Sequence, residues 1–508
     1  MSKYAALVIV VLTASACSES EGHADKTQTI LPGCPPANDC VVGSMRCVAD
    51  VAEACVQADP VGSGSLCNRW AATACGGETP VCRGGVCASI SARQRVWSQS
   101  LREVIDNIDL GLGTAPDLQV DAQALHASLE SDLFHQPEST FAYFGVLRKA
   151  LLAYPNGHLS LYAEGACGRA AQPTVSTSSI GACTQPYQDH AVVSFVGNDN
   201  PLGLVPGDEI LSIDGKQGAE MLRASLEQPL CGNSAASESN RRYAAGTSVF
   251  ATAHVGTVFT VKHAAGAIEQ KTVGKLATKA LGCRDPFGRP TAATAAASMR
   301  SDGVGIVRLN NFYSAESDYE VAQESVRKAI DAALLAVKDA HTVIFDMRAN
   351  EGGSSIVGLE LVAGLAPASR GKPVAGYALR KAGTTTYSPT QIYEVPNSNR
   401  FAYAGRVAML IDGLSISAAD YTALAAKQAG IPLIGKPSSG SYGGGVQPVY
   451  VGEDPRIGVS VDPFRGVDLQ GRGTEGNSTI PDVDAELTPS DAAKGIDTAL
   501  ELGRVPKV

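Results

Sequence analysis

The stretch LIDGLSISAADYTALAAKQAG, residues 410–430, passes from an apolar run through a turn of small residues into a helical pattern, with Ser415 and Ser417 at the junction. A serine at a helix start has free N–H groups and the helix dipole beside it, and both favour developing negative charge. That setting suits acyl transfer, in which a hydroxyl attacks a carbonyl and a base takes its proton. Ser417 is expected at or just inside the first helical turn, with Ser415 as the N-cap. A second turn, FDMRANEGGSS (residues 345–355), closes a buried run with polar residues and the adjacent Gly352 and Gly353. Adjacent glycines let backbone N–H groups converge on one point, as an oxyanion hole requires, and the N–H of Ala418 could join them. No histidine is near: the nearest in sequence is His341. The base must come from a distant part of the chain or be a lysine.

The elements that would position these turns read clearly from residue 300 onward. GVGIVRLNNF, HTVIFDM, RVAMLIDG and IPLIGK are strand-like, and they alternate with helical SDYEVAQESVRKAIDAALLAVKD, SSIVGLELVAGLA and the run after Ser417. Such alternation predicts an α/β layer on a parallel sheet, whose sites sit at the carboxyl ends of the strands. Upstream, SARQRVWSQSLREVIDNIDLGL and ESTFAYFGVLRKALLAY have apolar residues at helical spacing, and PNGHLSLY then turns into a strand. Between these regions, GLVPGDEILSIDGKQ carries a Pro-Gly-Asp turn, a strand and an Asp-Gly hairpin turn, and HVGTVFTVKHAAGAIEQKTVG reads as a further hairpin. The phrase resembles the PDZ signature of bacterial proteases, and the stretch around Cys231 reads as an insertion in that unit.

The chain has 508 residues, 44% of them hydrophobic and 18% charged, so several domains are expected. A net charge of -10 with no basic cluster excludes nucleic acid as a partner. The N-terminal MSKYAALVIVVLTASAC has the form of an export signal, too short to span a membrane, and its end resembles the lipobox of bacterial lipoproteins, with Ala14 where that box usually has Leu, Val or Ile. Cys17 would then be the lipidated residue and the only membrane anchor. The expected location is the outer membrane, or the exterior if cleavage is plain. Of thirteen cysteines, eight fall between residues 34 and 87, and Cys167, Cys183, Cys231 and Cys283 follow. An even number apart from Cys17 suits an oxidising compartment, and the dense set reads as a disulfide module of open connectivity. Zinc is the rival reading, but C-x-x-C pairs and clustered histidines are absent. No metal or cofactor is expected.

Together the two turns resemble the tail-specific and C-terminal-processing serine peptidases, the family that includes the tricorn protease core. Their oxyanion turn follows a strand as D-x-R-x-N-x-G-G, matched by Asp346, Arg348, Asn350, Gly352 and Gly353. Their nucleophile stands three positions before an acidic residue, as Ser417 stands before Asp420 and Ser415 does not. In the branch with a Ser-Lys dyad, the lysine lies in a G-x-P-T-x-G-K turn; here that position is Ser441, and Lys436 is displaced from it. The tricorn-like branch takes a histidine from the helical part and a glutamate from near the C-terminus. PNGHLSLY supplies His158, and EGNSTIPDV supplies Glu475, with Ser478 in place of the branch's glycine.

The resemblance thus implies a multidomain α/β protein. A lipoprotein-type signal peptide (1–17), a tether (18–33) and a Cys-rich module (34–88) precede a helical part (92–165), an inserted PDZ-like β domain (185–275) and the α/β peptidase core (300–505). It also implies a Ser417–His158–Glu475 relay, an oxyanion hole of Gly352, Gly353 and Ala418, and protein or peptide substrates, with unstructured or C-terminal segments as the expected targets. The alternative is a non-catalytic surface lipoprotein that binds peptides or hydrophobic ligands with the same fold. Oligomeric state is not legible.

Overall fold

The computed structural model describes residues 40–163, 177–444 and 448–504, apart from short breaks at 41, 49, 59–66, 84, 229–230, 284, 286, 290–292 and 453–455. The signal-like segment, Cys17 and the tether lie outside the described residues. The chain divides into two units, residues 1–89 and 90–508.

The first unit has few large apolar side chains to bury. Strands Met45–Val48, Val51–Ala58 and Cys67–Ala74 form an antiparallel sheet, and Val81–Arg83 pairs with Val86–Ala88. Disulfides Cys40–Cys55, Cys47–Cys82 and Cys75–Cys87 cross-link it. Among the described residues of this unit the buried apolar ones are Cys40, Cys55, Val81 and Cys82, and the cross-links supply cohesion that so small a core does not.

In the second unit, helix Ala92–Gly111 opens with a capping box in which Ser91 and Gln94 satisfy each other's backbone N–H groups. It packs with helices Ala122–His135 and Thr140–Leu152 around Trp97, Leu101, Ile105, Leu129, Tyr143 and Leu147. The same core includes Leu159, Leu161, Ile457 and Val459. The strand Ser160–Ala163 lies between Gly232–Asn233 and Ile457–Ser460, with Pro448–Val451 beyond. The chain's late strands therefore complete its early helical part.

Strands Ala182–Tyr187, His190–Val196, Glu209–Ile213, Val258–Lys262 and Ile268–Thr272 form an antiparallel sheet in the spatial order last, fourth, third, second, first. Asp214 and Gly215 take φ 48 and 82°, the left-handed pair that an Asp-Gly hairpin turn needs. The stretch around Cys231 leaves this sheet, since Gly232–Asn233 pairs with Ser160–Ala163 and Cys231 packs in the core of the helical part. Its flanking helices Gly218–Leu226 and Glu238–Thr247 share one core with the sheet, where Met221, Leu226, Ala244 and Ala245 meet Val193, Ile210 and Phe259. The charged face of Glu238, Arg241 and Arg242 masks that apolar stripe in the sequence. Cys183–Cys283 closes the region covalently.

The α/β core is a six-stranded sheet ordered Ala295–Met299, Val304–Leu309, Thr342–Asp346, Arg406–Ile411, Leu433–Gly435 and Val483–Asp484. Only the first pair is antiparallel. Helices Tyr319–Ala336, Ser355–Leu365 and Ala418–Gln428 are the three that the alternating pattern predicts. The strands are apolar on both faces, as a covered parallel sheet requires. Three of them end beside one another and lead into residues 347–354, 412–417 and 436–444, where the candidate site forms.

Candidate active site

The turn after strand Arg406–Ile411 is held from below. Ser415 is fully buried and its Oγ donates to the Met347 carbonyl (2.8 Å), while Asp412 accepts from the N–H groups of Ala349 (2.9 Å) and Leu414 (3.0 Å). Ser415 is therefore not the helix cap; it ties two strand ends together. The helix starts at Ala418, and Ser417 occupies the cap position with φ 63° and ψ -119° and no side-chain cap bond. A non-glycine residue at such angles is strained, and the strain turns Oγ out of the helix. Among the described residues the Ser417 hydroxyl makes no hydrogen bond.

Asp420, one turn into the helix, accepts from the N–H groups of Gly440 (3.0 Å) and Ser441 (2.9 Å). The Ser441 carbonyl in turn accepts from the Ser417 N–H (3.0 Å). The acidic residue three positions after the serine thus fixes the loop against which the serine rests. Burial pushes its carboxyl up to about 7.

The double-glycine turn approaches from the neighbouring strand. The Asn350 carbonyl accepts from the Ile416 N–H (3.0 Å), and its side chain accepts from the Gly352 N–H (2.8 Å) and donates to the Leu309 carbonyl (2.8 Å). Gly352 has φ 80°, and a Cβ there would stand 2.5 Å from that of Ser417. No larger residue fits. Because its N–H is engaged by Asn350, Gly352 is not an oxyanion donor as expected; it gives clearance. The N–H groups of Gly353 and Ala418 have no acceptor among the described residues, which leaves those two for an oxyanion.

Below this turn, Arg348 pairs with Asp346 (2.7 Å) and Asp497 (2.7 Å), and Arg289 and Arg308 also reach Asp346 (3.1 and 3.3 Å). Burial alone would raise Asp346, but Arg348 and its two neighbours hold it well below the carboxylate range. The Asp and Arg of the D-x-R motif are its frame.

His158 arrives on a turn shaped by Asn156, whose Oδ1 accepts from the N–H groups of His158 (2.8 Å) and Leu159 (3.0 Å). Gly157 lies against Ser441, whose Oγ a Cβ would overlap. Ser441 contacts the histidine turn with its side chain and Ser417 with its backbone, so the histidine and serine segments meet across it. No hydrogen bond joins Ser417 to His158 here, a common state of such pairs before substrate binds. The imidazole is 13% exposed and its Nδ1 is buried without a hydrogen-bond partner. Burial lowers its pKa to about 4.

Residues 303–485 match the model of peptidase family S41. The core belongs to this family and is that of a serine-type peptidase. Two solved structures of mature CPAF, one of them complexed with lactacystin, match with TM-scores of 0.58 at 14% and 15% identity. They cover 80% of this chain and 96% and 95% of their own, and at such identity they show the fold alone. The photosystem II D1 C-terminal processing protease matches at 18% identity over 81% of this chain and 96% of its own, with a TM-score of 0.38. No curated protein matches the chain significantly.

For a core of this family with no lysine at position 441, the surroundings of the histidine matter most. Lys436 is bound to Asp484 (2.8 Å), and nothing brings it to Ser417. Glu475 does not touch the imidazole. Its Oε1 accepts from the Gly157 N–H and its Oε2 from the Tyr442 N–H, both at 2.9 Å. The expectation that it bonds the histidine is corrected: both oxygens are engaged by backbone, and the residue clamps the histidine turn to the loop after Ser441. Burial raises its carboxyl to about 8. Sequence reasoning misses Asp462 and Gly443, which lie beside the imidazole, because no motif frames them.

Proposed function

We propose that the protein is an exported serine endopeptidase that cleaves through an acyl-enzyme on Ser417. The carrying observation is the strained Ser417, set between unengaged N–H groups of Gly353 and Ala418 and the histidine turn clamped by Glu475. His158 takes the Oγ proton as Oγ bonds to the substrate carbonyl carbon. The resulting oxyanion accepts from Gly353 and Ala418, and the imidazolium returns the proton to the leaving amine. Water then repeats the cycle in reverse on the ester.

The sheet of residues 182–272 carries the PDZ-like hairpin phrase, which supports capture of a substrate's extended C-terminal end beside a strand. The signal-like N-terminus with Cys17 and the three disulfides among the described residues of the first unit support export and lipid anchoring. The test is a fluorophosphonate probe on the purified protein, with the labelled residue mapped. Label on Ser417, lost in Ser417→Ala, is expected. Undiminished peptide cleavage by Ser417→Ala would overturn the reading, and a folded protein that neither labels nor cleaves would favour the ligand-binding alternative.

A further inference from the structure

We propose that Asp462, rather than Glu475, is the carboxylate that orients His158, and that Gly443 keeps the space between them open. This deepens the Ser417–His158 reading and rests on it.

The backbone places the two residues opposite each other. In the antiparallel ladder between Ser160–Ala163 and Ile457–Ser460, Ser160 faces Ser460 and Leu161 faces Val459. Two residues beyond the last pair, the same register sets His158 against Asp462. The side chains follow: Asp462 Oδ2 lies 3.9 Å from His158 Nδ1, the ring nitrogen that has no hydrogen-bond partner. Asp462 is 0% exposed. Its Oδ1 accepts from the Phe464 N–H (2.9 Å) and its Oδ2 from the Gly444 N–H (3.2 Å), which fixes the carboxylate while Oδ2 keeps a lone pair toward the ring.

Gly443 supplies an independent observation. A Cβ on it would overlap Asp462 Oδ2 and stand 2.6 Å from His158 Nδ1. Its Cα therefore borders the gap between carboxylate and imidazole, and any side chain would enter that gap. Tyr442, immediately before it, is held by Glu475. The two carboxylates thus have separate roles, since Glu475 fixes the backbone on both sides and Asp462 faces the ring. Shortening 3.9 Å to a hydrogen bond needs only about 1 Å of movement. The proton would then sit on Nδ1, and Nε2 would be left to accept from Ser417.

The charged and titratable groups around Asp462 are His158 on its turn, Glu475 across the loop and Tyr421 on the helix after Ser417. Among the described residues none of these is a cation other than the imidazole itself. Burial, partly offset by the N–H groups of Phe464 and Gly444, pushes Asp462 up to about 7, and burial pushes His158 down to about 4. A carboxylate that attracts the imidazolium lifts the histidine from that low value, so its removal should be visible in the pH profile.

The experiment compares Asp462→Asn, Gly443→Ala and Glu475→Gln with the unmodified protein, using kcat, KM, the pH dependence of kcat/KM and fluorophosphonate labelling. Asp462→Asn is expected to lower kcat by roughly 10³- to 10⁴-fold with KM nearly unchanged, and to move the acid limb of kcat/KM to lower pH. Gly443→Ala should do the same while retaining the carboxylate. Glu475→Gln should reduce kcat less and leave the acid limb in place. The reverse ranking, with Asp462→Asn active and Glu475→Gln dead, would overturn the proposal while Ser417 labelling kept the peptidase reading intact. Failure of Ser417→Ala to abolish labelling would instead sink the peptidase reading. Should the Asp462 variant not fold, the imidazole ¹⁵N spectrum of the unmodified protein decides, with His158 assigned by its loss in His158→Gln. A proton on Nδ1 is expected, and a proton on Nε2 would overturn the assignment.

Discussion

Two groups of buried carboxylates lie at the same ends of the central sheet, and they are held in opposite ways. Under the double-glycine turn, Asp346, Asp285 and Asp497 interlock with Arg289, Arg308 and Arg348. Around Ser417, the carboxylates of Asp420, Asp462 and Glu475 have backbone N–H groups and one imidazole for company, and no Lys or Arg among the described residues. The consequence is a difference in protonation. Asp346 is kept far below the ordinary range by its arginines, whereas burial brings the other three to about 7, 7 and 8. Guanidinium partners make a frame whose charge is fixed. Neutral donors make a cluster whose protons move near neutrality, as acid–base chemistry requires.

The contrast predicts that a change in the cluster alters rate and a change in the frame alters stability. The largest effect should come from His158→Ala, which is expected to lower kcat by roughly 10³- to 10⁶-fold with little change in melting temperature. Lys436→Ala, assayed beside it, should keep nearly full activity. Next in size, Arg308→Met leaves Asp285 and Asp346 without one cation and should cost about 3–5 kcal/mol in denaturant unfolding. Equal stability in that variant would mean that the frame is not what holds the turn.

The two groups should also respond to pH with opposite signs. Glu475 titrates near 8 when folded against 4.5 ordinarily, so the native state retains a proton that the unfolded chain has lost. Its contribution is full below about 4.5 and falls as pH rises through about 8, and Glu475→Gln should flatten that part of the stability curve. Asp346, lowered in the fold, contributes above its ordinary 3.8 and loses its contribution only in acid. Calorimetry across this range would show one slope without the other if the contrast is false. The smallest effect is expected from Ser417→Gly, which should abolish labelling yet raise stability by about 1 kcal/mol through relief of the φ 63° conformation.

The α/β core is legible in the sequence because period and punctuation agree: apolar strands, capped helices and the Gly352–Gly353 turn each have a local cause. Ser417 is legible for the same reason. Its strained angles are not, because they follow from Ser415 anchoring to Met347 and from Asn350 holding Ile416. His158 and Glu475 are found through family order, and the structure brings both to one place but gives Glu475 a backbone role. Asp462 cannot be found that way. Its sequence neighbours VDPFRG contain no turn or motif that marks it, and its meaning comes only from the register of a strand some 300 residues away. The helices around Cys231 escape the sequence for a simpler reason, since narrow apolar faces are hard to see beside many charges.

That register has a consequence for timing. Strand Ser160–Ala163 is made some 300 residues before its partner Ile457–Ser460, which Glu475 follows. A contact of such sequence separation is among the slowest to form. A growing chain therefore carries the histidine turn over that stretch without Asp462 beside it or Glu475 to fix its loop. The histidine turn and the loop that holds it come together only once strand Ile457–Ser460 and Glu475 have been made.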